Sequence, residues 1–311
     1  MGDWLALIAA LCWAMANVTI ARGAGARGDD NGAFLSILLT AGIAGALWLA
    51  NRQDATSTAR MPDAMLWFAA AGALTIFIGR VFLHASIQWL GAVRGASVKR
   101  LAPLFSVLLG VSVLSEPLSW ALAGGMLLIF SGFGILVQES MRAHDTENSP
   151  PLAAPGPVHR AGWANPGIVY GAVSAFAYAA GNIARKYGLL DMPDPLFGTM
   201  FGALVGAAIF LLTALAVDSY RQAVRRCFTR FNPWLLATGV LSSVGQLMFF
   251  MAVDQSSVSR VAVIASTEVF VTMLLTFVVL RGRENISRAA LLAASLGVVG
   301  TLLILSEKGL R

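Results

Sequence analysis

Apolar residues in this chain come in long blocks, near 4–22, 32–50, 64–89, 95–115 and 119–139, and again near 165–186, 196–217, 233–254, 259–280 and 288–306. A helix rises 1.5 Å per residue, so about 20 apolar residues carry it across the hydrocarbon of a bilayer. The pattern predicts an all-α, polytopic membrane protein of ten transmembrane helices. Between the two sets of blocks, Glu147, Asn148, Ser149, Pro150, Pro151, Pro155 and Pro157 break the apolar pattern. The chain is thereby divided into a first half (1–139), a polar, Pro-rich linker (140–162) and a second half (163–311).

The halves resemble each other. Trp13 and Asn17 align with Tyr178 and Asn182, Gly79-Arg80 with Gly245-Gln246, and Arg94 with Arg260. After a short insertion Glu116 falls on Glu284, Gly132 on Gly300 and Glu139 on Glu307. Five spans per half is an odd number, so the second half is expected to be inverted relative to the first. Inverted repeats place a binding site near the midplane between the halves.

Composition narrows the class further. Hydrophobic residues make up 57% of the 311 and charged residues 12%, with a mean hydropathy of +0.73. A soluble domain carries about twice that charged fraction. The net charge of +6 falls mostly in short gaps between apolar runs, where topology signals sit, so it does not point to nucleic acid. Cys12 and Cys227 are expected at different depths and form no disulfide framework, and no metal site or cofactor is expected. The N-terminus lacks a basic segment, so the first apolar run reads as a retained span. Gly23-Ala-Gly25-Ala-Arg-Gly28 matches a dinucleotide fingerprint in letters only, since it follows a transmembrane run instead of a strand. The sequons at Asn17 and Asn285 carry little weight, the first lying inside a span.

Polar groups inside the spans are the candidate chemistry. A charge at mid-span costs about 2.5–3.5 kcal/mol on insertion scales, so it faces a partner or a cavity. Arg80, His84 and Gln88 form a four-residue stripe on the third span, matched by Gln246, Phe250 and Asp254 on the eighth. Lys99 and Arg100 begin the fourth span, and Glu268, Thr272 and Thr276 line one face of the ninth. Cations with one carboxylate suit an amino-acid zwitterion, while Trp13, Tyr178, Phe249 and Phe250 offer an aromatic wall. The expected substrate-binding set is Trp13, Asn17, Arg80, His84, Lys99, Tyr178, Asn182, Gln246, Phe250 and Glu268. The competing reading makes the charges a buried packing network, His84 a hydrogen-bonded helix residue, and the asparagines interhelical bonds. Gly198, Gly202 and Gly206 form a small-residue face for helix packing. That face serves either a neighbouring helix of a monomer, the expected state, or a homodimer.

The passage Ser97 to Pro117, SVKRLAPLFSVLLGVSVLSEP, with Pro103-Leu-Phe-Ser and a terminal Glu116, resembles the fourth span of the EamA-type branch of the drug/metabolite transporter superfamily. The second-half copy has Val269 or Val271 for the proline and Arg283-Glu284 at its end. The resemblance covers nearly the whole chain and implies a secondary transporter of the bacterial inner membrane. It is similar in particular to YddG-like aromatic amino acid exporters, with a cavity gated by the third, fourth, eighth and ninth spans. Amino acids, aromatic and other neutral ones first, are the implied substrates. Organic anions, nucleosides or phosphorylated metabolites are the alternative, and a membrane enzyme is a different class. Numbering the sides alternately puts seven basic residues with the termini, including Arg185, Lys186 and Arg260, and twelve opposite, including Arg221, Arg225, Arg226 and Arg230. The positive-inside rule then makes both termini periplasmic.

Overall fold

A computed structural model describes residues 1–23, 32–51, 61–83, 86, 101–146, 166–279 and 288–307. All regular structure among them is helical: α1 (Gly2–Gly23), α2 (Ala33–Ala50), α3 (Met61–Ala71, running on into a π-helical segment, Gly72–Gly79), α4 (Ala102–Val113), α5 (Trp120–Thr146), α6 (Pro166–Asp191), α7 (Pro195–Ala216), α8 (Asp218–Thr229), α9 (Pro233–Gln255), α10 (Val258–Ala265), α11 (Glu268–Val279) and α12 (Arg288–Ser306). Among the described residues, six stretches are long and apolar enough to cross a membrane: Gly2–Thr19, Ala33–Ala50, Pro62–Leu83, Gly167–Asp191, Pro195–Ala216 and Pro233–Gln255. Ala102–Val113, Trp120–Gly132 and Ser295–Ser306 are shorter apolar helices. Local chemistry sets several starts. The Asp194 carboxylate accepts from the Phe197 amide ahead of Pro195, and the Asn232 side chain accepts from the Trp234 and Leu235 amides ahead of Pro233.

Three expectations need correction. The block 165–186 continues as helix to Asp191, so Arg185 and Lys186 lie within a span and not at its mouth. The stretch holding Arg221, Arg225, Arg226 and Cys227 is no loop but the amphipathic helix α8. Its Tyr220, Ala223, Val224 and Cys227 pack on a cluster of Phe34, Ile37, Ile76, Ala207 and Phe210. The block 259–280 is broken at Ser266-Thr267, where each hydroxyl donates to the carbonyl three residues back (Val263, 2.6 Å; Ile264, 2.7 Å) and competes with the helical ladder. Helix α5 runs to Thr146, and 147–162 lies outside the described residues.

Helix pairing keeps its form when the first five blocks and the last five are exchanged. α1 packs on α9 and α3 on α6; α1 packs on α10 and α11, and α6 on α4; α2 packs on α7, and α5 on α12. Close backbone approaches follow the same exchange. A Cβ at Gly132 would stand 2.7 Å from the Ala293 carbonyl, and one at Gly300 2.7 Å from the Gly125 carbonyl. A Cβ at Gly79 would meet the Tyr178 ring at 3.0 Å, and one at Gly245 the Trp13 ring at 2.8 Å. The π-helical segment meets α7 backbone to backbone at Gly72 and Gly202, where a Cβ on Gly72 has no room. Gly239 approaches Ser36 in near-mirror fashion. Gly198, Gly202 and Gly206 therefore lie against Phe68, Gly72 and Ile76 of the same chain.

One end of the bundle is tied across the halves. Arg260, at the start of α10, donates from Nε and Nη2 to the Asp3 carboxylate at 2.9 Å each. Its Nη2 also reaches the Ile304 carbonyl at 2.6 Å, and Nη1 lies 3.5 Å from Glu307. Ser119 donates to Glu307 at 2.6 Å. Glu116, ahead of α5, accepts from the Val258 amide (2.6 Å), the Ser259 amide (3.0 Å) and the Ser259 hydroxyl (2.5 Å). The start of α1, the α4–α5 junction, the α9–α10 junction and the end of α12 thus meet at one end.

Candidate functional site

The site is built around a cation absent from the predicted set. Arg185, on α6, is 4% exposed. Its Nη1 donates to Asn182 Oδ1 at 3.0 Å and its Nη2 to Thr75 Oγ1 at 2.7 Å. With the Gln246 amide turned so that its oxygen faces the guanidinium, that oxygen accepts from Nη2 at 2.5 Å and from Nη1 at 2.8 Å. The Arg185 Cζ sits 5.2 Å from the Phe250 ring centroid and 6.0 Å from that of Phe249. Every group so engaged is uncharged.

The elements that deliver these groups explain their order. Asn182 lies one turn before Arg185 on the same helix. Thr75 belongs to the π-helical segment and donates its own hydroxyl proton to the Ala71 carbonyl at 2.7 Å, leaving its oxygen to accept. π-Helical turns are rare and recur beside functional sites. Gln246 and Phe250 lie one turn apart on α9. Arg185, Thr75, Gln246 and Phe250, together with Phe68, Ala71, Gly72, Ile76, Gly198, Thr199 and Gly202, line a cavity of about 10 Å³, space for about one water molecule.

Of the predicted residues, Asn182, Gln246 and Phe250 are brought together here. Arg80 is buried nearby and donates to the Ser36 hydroxyl. Trp13 packs against Phe249 in a tilted pair, 5.4 Å between ring centroids at 37°, and Tyr178 lies over Gly79. Asn17 and Glu268 form a second cluster, where the Asn17 amide donates to Glu268 Oε1 at 2.6 Å and lies 3.5 Å from Thr272 Oγ1. The chain of Asn17, Trp13 (one turn away) and Phe249 links this carboxylate to Arg185, although Glu268 does not line the Arg185 cavity. His84, Gln88, Lys99 and Arg100 lie outside the described residues.

A signal for Arg185 was present in the sequence. Asp191-Met192-Pro193 is a better helix stop than Lys186, and an end there puts Arg185 inside the apolar run, three residues from Asn182. The neighbouring Lys186 has a different role. Its Nζ donates to the Val253 and Ser256 carbonyls at 2.8 and 3.1 Å, capping the C-terminal end of α9. Among the described residues no group of His, Cys, Asp and Glu is placed to hold a metal ion.

The sequence model of the EamA-like transporter family matches residues 1–138 and 165–306. No curated protein sequence matches the chain. A solved crystal structure superposes on 98% of this chain and 98% of its own with a TM-score of 0.70 at 18% identity, a likeness of fold alone.

Proposed function

The chain belongs to the EamA-like transporter family and is a multi-pass membrane transporter, and from that premise we propose that it exports amino acids, aromatic and other neutral ones first. The observation that carries this reading is the enclosed Arg185 guanidinium, held, among the described residues, by uncharged acceptors. A cation in that state gains most from an incoming anion. The substrate carboxylate binds at Arg185, its ammonium at Glu268, and its side chain against Trp13, Phe249 and Phe250. Ten spans in two inverted halves gate the site alternately, a reading supported by helix pairing and glycine contacts that survive exchange of the halves. The inner membrane of a bacterium, with both termini periplasmic, is the placement favoured by charge. Moving Arg185 and Lys186 into a span widens the basic excess on the opposite side.

A second reading, an organic-anion carrier, is favoured by one specific fact. The described residues lining the Arg185 cavity include no acid. Counterflow in proteoliposomes separates the two, using labelled phenylalanine, tryptophan, methionine, threonine and glutamate with and without a pH gradient. Exchange of phenylalanine that is lost in Arg185→Ala and reduced in Glu268→Gln is the expected result. Unchanged exchange by folded Arg185→Ala protein would sink the carboxylate assignment. Normal affinity in Glu268→Gln, with equal handling of phenylpyruvate, would select the anion reading.

A further inference from the structure

We propose that Gln246 is an internal stand-in for the substrate's carboxylate, occupying its place on Arg185 between substrates and leaving when substrate binds. The inference rests on Arg185 being the anion subsite. Three acceptors hold the guanidinium, and they are not equally free to yield. Asn182 rides on the same helix, so it moves with Arg185. Thr75 is fixed by its own bond to the Ala71 carbonyl at 2.7 Å. Gln246 comes from α9 on a flexible side chain, lines the cavity, and its single oxygen bridges both Nη atoms at 2.5 and 2.8 Å.

A carboxylate oxygen presented to Arg185 from the cavity takes that bridging position and adds a full negative charge where the amide offers a dipole. Charge-assisted bonds are about twice as strong as neutral ones, so the exchange favours the carboxylate. Between substrates the amide returns, so the bridging position between the two Nη atoms is not left empty while the guanidinium is buried, a loss that is costly. Gln246 thereby sets affinity by competition. A simple ligand role, in which its amide donates to the substrate, predicts the opposite sign for its removal.

The test uses the purified full-length protein with benzoate, a carboxylate without an ammonium, as probe, read by thermal unfolding in detergent. Wild type is expected to be stabilised by benzoate. Gln246→Ala should respond at a roughly tenfold lower benzoate concentration, the scale of one bond to Arg185 that no longer has to be broken. Gln246→Glu should unfold at a higher temperature than wild type without ligand and lose its benzoate response, because an internal carboxylate then holds Arg185. Phenylalanine counterflow is measured on the same three proteins. A benzoate response at higher concentration in Gln246→Ala, or a retained response in Gln246→Glu, overturns the exchange. So does an absent response in wild type and Gln246→Ala alike. The benzoate pattern without phenylalanine transport in wild type retains the exchange and discards the amino-acid reading.

Discussion

Arg185 and Glu268 show how much the chemistry of one residue depends on its neighbours. Both are charged groups in apolar helices, but Glu268 is half-buried and bonded by the Asn17 amide, while Arg185 is enclosed by neutral oxygens and two aromatic faces. A guanidinium presents a planar fork that Asn182, Thr75 and a carboxylate can share, whereas an ammonium is a point donor. Arg185→Lys is therefore expected to keep the fold and lose affinity, with KM for phenylalanine raised about tenfold or more for the loss of a charge-assisted hydrogen bond. An unchanged KM would show that the fork is not used. Asn17→Ala leaves Glu268 without its donor, and is expected to weaken binding of zwitterions more than of benzoate, measured by the same unfolding assay.

At the scale of the helix, packing between the π-helical segment and α7 is the tightest constraint near the site. Gly202 lies buried with its Cα against Gly72, and a Cβ there would stand 3.3 Å from the Phe68 carbonyl. A larger side chain has to part the two helices. Gly202→Leu is expected to destabilise by about 1–3 kcal/mol, seen as a lower unfolding temperature in detergent, and to disturb the Thr75 bond to Arg185 with it. Retained stability and transport would show that these helices separate freely. Helix α8 illustrates a different control. Its apolar stripe of Tyr220, Ala223, Val224 and Cys227 settles on the end of the bundle, while Arg221 turns back to bond the Ala214 and Leu215 carbonyls at the end of α7. Such a helix is too polar to span, and it holds the α7–α9 connection at the membrane's edge.

For the whole molecule, the contacts of Asp3, Glu116, Ser119, Arg260 and Glu307 tie together the end that carries the start of α1. Under the alternating access proposed above, opening toward that side requires these bonds to break. Arg260→Ala is expected to shift the balance toward the open form by about tenfold, the scale of a charge-assisted bond. It would be read as faster labelling by an impermeant maleimide of a cysteine placed at Ser106, one turn below Gly110 and 1% exposed. An unchanged rate would mean that the tie does not gate access. A tag on either terminus, cleaved by external protease in right-side-out vesicles, checks the periplasmic placement; full protection would reverse it.

The sequence alone determined that the chain is helical and membrane-embedded. Length and hydropathy decide that, because a bilayer tolerates only segments that satisfy their own backbone bonds. It also pointed to Asn182, Gln246 and Phe250, polar or aromatic groups recurring one turn apart in an apolar run. Only the tertiary structure decided that Arg185 is the cation they surround, that α10 and α11 are separate helices, and that Asn17 serves Glu268. The physical reason is that hydropathy is a property along one helix. The partner that makes a buried charge tolerable comes from another helix, more than a hundred residues away for Thr75 and Arg185 and more than two hundred for Asn17 and Glu268.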